Sequence, residues 1–130
     1  MNKLEIYRAE QSNPGSVYLY PEGMFYKAYE KSAFILCRYV HPFKVSVRPL
    51  KALAAPLVSV GFPISSLPKF SEPFRRVESF PADGKEGKVL TLESAPDMVG
   101  FPAWKASVGE LVKEATPPMK KSSFDISDKT

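Results

Sequence analysis

The stretch that decides the fold is Gly23-Met24-Phe25-Tyr26-Lys27-Ala28-Tyr29-Glu30-Lys31-Ser32-Ala33. The strand-like run Val17-Tyr18-Leu19-Tyr20 precedes it, separated by the turn signal Pro21-Glu22-Gly23. Met24-Phe25-Tyr26 is aromatic and prone to β-structure. From Tyr29 onward, apolar residues recur at helical spacing until Pro42. The order strand, strand, amphipathic helix is therefore predicted for the first third of the chain.

The elements that follow are short because prolines interrupt them. Residues 43–48 alternate apolar and polar, which predicts a half-buried strand ended by Pro49. Residues 57–60 predict a central strand, broken by Gly61-Phe62-Pro63 and followed by a short helical turn near residues 65–68. Residues 74–80 and 88–93 flank a polar loop with glycine, which predicts a hairpin. A last helix is expected after Phe101-Pro102.

This order predicts an α+β fold, with a mixed β-sheet and about three helices packed against it. Residues 1–15 are expected to form a short arm closed by the turn Asn13-Pro14-Gly15. The length suits one domain, assigned to residues 1–116. Residues 117–130 are polar and are predicted to be a flexible C-terminal tail.

Composition limits the compartment and the chemistry. The chain has one cysteine, Cys37, so no intrachain disulfide is expected, and no Cys/His cluster suggests a metal site. No stretch has the length of a signal-peptide core or approaches the ~20 apolar residues of a membrane span. A cytoplasmic protein without membrane association, metal or cofactor is predicted.

Basic residues are concentrated in one part of the chain. Residues 23–76 hold nine lysines and arginines against two glutamates, a formal charge of +7. The whole chain carries only +4, so the remainder is acidic by three charges. Counterion release from nucleic-acid phosphates would favour binding by such a basic segment. The alternative is a solvated surface that happens to be basic.

The two segments around residues 23–33 and 58–63 together resemble the N-terminal, mismatch-reading domain of the MutS DNA repair family. In that family a strand leads into Gly-x-Phe-Tyr-Glu-x-Phe and a helix, and a later strand ends in Gly-x-Pro. The matching residues here are Gly23, Phe25 and Tyr26, then Gly61 and Pro63. The resemblance covers residues 15–75 and implies a mixed sheet with helices packed against it.

The resemblance also implies a mechanism for binding DNA. In the family, the phenylalanine of Phe-x-Glu stacks on a mispaired base from the minor groove, and the glutamate hydrogen-bonds that base. Phe25 keeps the stacking surface, but Lys27 stands at the position of the acid, which favours contact with phosphate or a base acceptor instead. Gly61 and Pro63 would shape a turn. The alternative is that Phe25 and Tyr26 simply fill the core.

A non-catalytic module that binds DNA through a basic face with an aromatic wedge is the resulting prediction, with no nucleotide cofactor. The predicted DNA-binding residues are Phe25, Lys27, Lys31, Arg48, Lys51, Lys69, Arg75 and Arg76.

The sequence also bears on an enzymatic function and on an adaptor function. The ATPase and clamp domains of MutS are absent, and Cys37 and His41, although four residues apart on a helix, lack a third group to orient them. No enzyme is therefore predicted. The alternative function is an adaptor that binds a protein partner or a second copy of itself. Its exposed aromatic candidates are Phe70, Phe74, Phe80 and Trp104.

Overall fold

The computed structural model describes residues 2–50 and 55–115, so Lys51 and the predicted tail at 117–130 lie outside the described residues. In chain order the elements are α1 (Lys3–Gln11), β1 (Val17–Glu22), β2 (Phe25–Tyr29), α2 (Glu30–Tyr39), β3 (Ser46–Leu50), β4 (Ala55–Pro63), a 3₁₀ helix (Ile64–Ser66), α3 (Leu67–Phe70), β5 (Arg76–Ala82), β6 (Lys85–Thr91) and α4 (Phe101–Ala115). Helices and strands in this order confirm the α+β class.

The six strands form one sheet in the order β3-β4-β2-β1-β6-β5. All five ladders among the described strands are antiparallel, whereas the sequence led us to expect mixed directions. Two residues join β1 to β2, and two join β5 to β6. Connections this short permit only antiparallel pairing. The predicted hairpin near residues 74–93 is confirmed as β5–β6.

Three local predictions are corrected by the structure. Residues 3–11 form α1 rather than an arm: Asn2 caps the helix, its side chain accepting from the Glu5 amide while Glu5 accepts from the Asn2 amide. Gly61 and Pro63 do not form a turn, because β4 continues through both of them, opposite β2. Likewise Pro49 lies within β3 and does not end it.

Residues that face each other across an antiparallel ladder share a face of the sheet. The back face is defined by Leu19, Tyr26, Ala28, Val60 and Leu90, and it packs against buried residues of α2 in the larger core cluster. The front face is defined by Tyr20, Phe25, Lys27, Tyr29 and Leu57. On the front face, α1 contributes Ile6 to a smaller core cluster with Tyr20, Tyr29 and Leu57.

Glu30 joins the sheet to the helices. It lies at the boundary between β2 and α2 with φ of 49°, in the left-handed region that non-glycine residues seldom adopt. Its side chain is fully buried, and Oε2 accepts from the Val58 amide at 2.9 Å. Because β2 pairs with β4 only as far as Tyr29, this carboxylate takes the place of the next backbone carbonyl of β2. Oε1 accepts from the Lys105 ammonium at 2.6 Å, which ties α4 to the same point.

A second buried carboxylate, Glu10, ties α1 to α2. It accepts from the Ser32 amide at 2.9 Å, the Ser32 hydroxyl at 2.6 Å and the Asn13 side-chain amide at 3.1 Å. The Ser32 hydroxyl in turn accepts from the Tyr18 amide at 2.9 Å, which extends the network to β1. Burial raises the pKa of the Glu10 carboxyl to about 7, outweighing the opposite effect of the hydrogen bonds from Ser32 and Asn13.

Within residues 2–50 and 55–115, no helix combines the length and the apolar character that crossing a lipid bilayer requires.

We expect Lys105→Met to destabilise the fold by about 3–5 kcal/mol, because it leaves the buried Glu30 carboxylate without its counter-charge. Urea unfolding followed by circular dichroism measures the loss. The matched control is Lys44→Met, which removes an exposed lysine between α2 and β3. Equal midpoints for the two variants would contradict the role given to the ion pair.

Stability should also depend on the charge of Glu10. Its pKa is raised in the folded state from 4.5 to about 7, so the folded protein binds the proton more tightly than the unfolded chain does. This contribution is complete below about pH 4.5 and is lost as the pH rises through about 7. Relative to Glu10→Gln, the wild type should lose about 2 kcal/mol of unfolding free energy between about pH 5 and pH 8. Parallel pH profiles of the two proteins would refute this assignment.

Candidate nucleic-acid interface

Exposed apolar side chains gather at the turn between β1 and β2. Gly23, at φ of 62°, and Met24 form a two-residue turn, for which glycine at the first position is favoured. Met24 is 78% exposed, the neighbouring Phe25 46% and Ile64 37%. The Ile64 amide donates to the Met24 carbonyl at 2.9 Å, which holds the end of β4 against this turn. We call Met24, Phe25 and Ile64 the hairpin tip.

The structure separates Phe25 from Tyr26. Tyr26 points to the back face and is buried, with its ring edge-on to Phe62 at 6.2 Å between centroids. The suggestion that both rings fill the core is therefore correct for Tyr26 and wrong for Phe25. Successive side chains of a strand point to opposite faces, so burying Tyr26 places Phe25 on the front face. There it lies at the start of β2, half exposed to solvent.

Lys27 lies beside Phe25 on the same face. The two residues are two positions apart along the strand, so their side chains emerge about 7 Å apart. Lys27 is directly opposite Gly61, and a Cβ at Gly61 would meet Lys27 Cδ at 2.9 Å. The aliphatic part of the lysine thus lies flat on the glycine backbone. Gly61 is required for this close approach of a side chain and not for a turn.

The other predicted DNA-binding residues that the structure describes do not gather at the hairpin tip. Arg48 and Arg76 share the front face with Phe25, but they lie on β3 and β5, the opposite edges of the sheet. Five strand spacings separate these edges, which is about 24 Å. Arg48 also faces Leu57, six residues along β4 from the Pro63 that faces Phe25, or about 20 Å.

Three more of them lie elsewhere. Lys31, at the start of α2, donates its ammonium to the Gln11 carbonyl at 3.0 Å. Lys69 belongs to α3, and its ammonium lies 5.3 Å from the centre of the Phe70 ring. Phe70 itself packs against the back-face core, so Lys69 is remote from the front face. Arg75 precedes β5, where its amide donates to the Thr91 carbonyl. The seven predicted residues that the structure describes therefore do not form one continuous surface.

Two lysines that the sequence analysis did not select do lie near the tip. Lys3 and Lys85 line a cavity of about 270 Å³ together with Ile6, Tyr20, Pro21, Glu22, Ala82 and Asp83. Glu22 faces Phe25 across the β1–β2 ladder, and Tyr20 faces Lys27. Lys3 was missed because its segment was expected to be an arm. The capping pair of Asn2 and Glu5 was the signal that would have revealed the helix.

The acidic residue that faces Phe25 across the ladder, Glu22, is already engaged. The Lys3 ammonium lies 3.1 Å from its carboxylate, and the Tyr29 hydroxyl donates to the same oxygen. Burial, followed by the hydrogen bond to Glu22, raises the pKa of Tyr29 well above its usual range, so the phenol remains a neutral donor. Glu22 is thus paired with both Lys3 and Tyr29.

Cys37 and His41, which lie four residues apart in the sequence, have other neighbours. Cys37 Sγ lies 3.8 Å from the Phe43 carbonyl, and burial raises the pKa of its thiol, which disfavours the nucleophilic thiolate. The His41 ring packs against Phe43 and Phe70. Among the described residues, no group of three or more His, Cys, Asp or Glu side chains is placed to hold a metal ion.

Comparisons of the chain with known protein families, with curated proteins and with solved structures found no match. The likeness to the MutS N-terminal domain therefore rests on the two sequence motifs alone.

We expect Gly61→Ala to cost about 1–3 kcal/mol of stability, because the new methyl group overlaps the Lys27 side chain and approaches the Tyr26 carbonyl. In a Lys27→Ala background the cost should be smaller, and a double-mutant cycle of urea unfolding measures the difference. Gly100→Ala is the matched control, since its Cβ would make only an ordinary contact with Phe34. A cycle with no coupling would show that Lys27 does not lie on Gly61.

Proposed function

We propose that this protein is a non-catalytic module that binds DNA, with Phe25 as an aromatic wedge and Lys27 as its cationic neighbour. The observation that supports the proposal most directly is the half-exposed Phe25 ring at the hairpin tip, on the same face as Lys27. We also propose a cytoplasmic location, for which the single free cysteine is the main support.

The wedge has a physical rationale. Inserting a ring between base pairs costs a few kcal/mol of unstacking, and this cost is lowest where pairing is already faulty. Phe25 offers a ring held by a paired strand rather than by a loose loop, so little ordering is needed on binding. Met24 and Ile64 beside it would add apolar contact with the edges of the opened step.

Lys27 determines what such a site could discriminate. Its ammonium donates hydrogen bonds and accepts none, so it would contact a phosphate or a base acceptor. Because Gly61 holds its stem against the sheet, the charge stays close to Phe25. We therefore propose that the module responds to how easily a base step opens and only weakly to which bases are mispaired. The neighbouring cavity adds no net positive charge, because Lys3 and Lys85 line it together with Glu22 and Asp83.

The runner-up function is an adaptor that binds a protein partner. Its original aromatic candidates are poorly placed for it, since Phe74 is 8% exposed and Phe70, Phe80 and Trp104 pack against core clusters. The observation that favours an adaptor is the hairpin tip itself, because Met24, Phe25 and Ile64 together are an apolar surface that a protein could cover.

Binding to a labelled duplex with and without a mismatch, followed by fluorescence anisotropy, tests the proposal. Phe25→Ala should weaken binding to the mismatched duplex about 10-fold, because an aromatic ring stacked on a base contributes about 1–3 kcal/mol. Phe25→Tyr should retain most of the affinity. Met24→Ala, at the more exposed neighbouring position, is the matched control and should have a smaller effect.

Two results would remove the DNA proposal. One is the absence of binding at about 50 mM salt, where phosphate contacts are strong. The other is equal affinity of the wild type and Phe25→Ala for the mismatched duplex. The adaptor would then be the better account of the exposed hairpin tip.

A further inference from the structure

The outer edge of β5 is exposed. β5 is the last strand in the sheet order and pairs only with β6 in the part of the chain that the structure describes. Its first four residues, 76–79, are all exposed, and Val77 retains 43% of its accessible surface. An edge of this kind presents unpaired backbone groups to any strand that can align with it.

The geometry of the β5–β6 hairpin determines which backbone groups point outward. Asp83 and Gly84 form a two-residue turn with φ of 52° and 80°, and Ala82 faces Lys85 across it. In such a hairpin the closing pair exchanges both hydrogen bonds, and every second residue back along the strand does the same. The backbone groups of residues 80, 78 and 76 therefore point to β6. Those of Val77 and Ser79 point away from the sheet.

The opposite edge of the sheet is less suited to pairing. β3 carries Pro49 within its five residues, and proline has no amide hydrogen to donate. In β5 the one proline is Pro81, next to the turn and away from residues 76–79. Of the two edge strands, β5 is therefore the one in which the outward-pointing amides and carbonyls of Val77 and Ser79 are free of proline.

The side chains of β5 make it complementary to itself. In an antiparallel pair with a two-fold axis at Val77, each Val77 faces Val77 of the second copy, and their outward amides and carbonyls exchange two hydrogen bonds. Arg76 then faces Glu78 of the second copy, and the symmetry repeats this opposite-charge pair. Only every second residue of β5 points its backbone groups outward, so a register that pairs the other residues would lack these hydrogen bonds.

Two neighbouring registers are unfavourable for stated reasons. An axis at Glu78 would place two carboxylates face to face. An axis at Ser79 would bring Val77 opposite Pro81, which cannot donate. The segment that could pair around Val77 is also short, because the Arg75 amide already donates to the Thr91 carbonyl and points toward β6. The association should accordingly be weak and dependent on concentration.

We propose that a second copy of this chain pairs with the β5 edge around Val77, so that two six-stranded sheets become one continuous sheet of twelve. The inference does not depend on the proposed DNA binding. It assigns Arg76 to an ion pair between copies and leaves the hairpin tip, three strand positions away on β2, uncovered.

Sedimentation equilibrium on the full chain tests this interface through charge reversal. Arg76→Glu creates two like-charge pairs across the two-fold axis, and so does Glu78→Arg. Each single variant should weaken self-association at least 10-fold. The double variant Arg76→Glu/Glu78→Arg should restore it, and so should an equimolar mixture of the two single variants. Lys44→Glu, which reverses a charge outside the strands, should associate like the wild type.

Each remaining outcome would overturn the proposal. A wild type that stays monomeric up to millimolar concentration has no such interface. Single variants that associate as well as the wild type would place the contact elsewhere, and so would a mixture that fails to recover. Val77→Pro provides a second check, because it removes an amide that points away from β6: circular dichroism would verify the fold, and loss of association is expected.

Discussion

The carboxylate of Glu30 is the point on which the arrangement of sheet and helices depends. It completes the hydrogen bonding of Val58 where β2 leaves the sheet, and it holds Lys105 of α4 against the start of α2. A buried acid of this kind is stable only while both partners are present, since an isolated charge in the interior is very costly. The chain therefore leaves β2 at one defined residue, despite a backbone conformation that an L-amino acid seldom adopts.

The end of β2 at Tyr29 also determines what is exposed at its beginning. Tyr29 is buried on the front face between β1, β4 and α1, so every second residue back toward the turn shares its side of the strand. These residues are Lys27 and Phe25. Helix α1 covers this face near Tyr20 and Tyr29 but leaves Phe25 half exposed at the hairpin tip. The exposed ring is thus a consequence of how the two ends of one five-residue strand are anchored.

The sequence was sufficient to predict the secondary structure where the apolar pattern and the turn residues agree. The strand predicted from the aromatic, β-prone residues 24–26, the helix after Tyr29 and the hairpin around Asp83-Gly84 follow from local rules and are present. It was insufficient where distant residues decide. Gly61 and Pro63 suggest a break when read locally, yet pairing with β2 keeps both in a strand, and the Lys27 side chain explains the glycine. The location of the basic residues could not be foreseen either, because strand order separates Arg48 from Arg76.

Charge on this protein is therefore better understood by position than by total. Of the cations in the basic segment, Lys31 is bound to a helix C-terminus and Lys69 lies beside an aromatic ring of the back-face core. Arg76 lies on the edge strand β5, two residues from Glu78 and on the same face of the sheet. Lys27 differs from these three residues because its aliphatic chain lies against Gly61. It is two residues from the exposed Phe25 ring on the same face. The basic residues that lie close together in the sequence are thus distributed over separate parts of the folded protein.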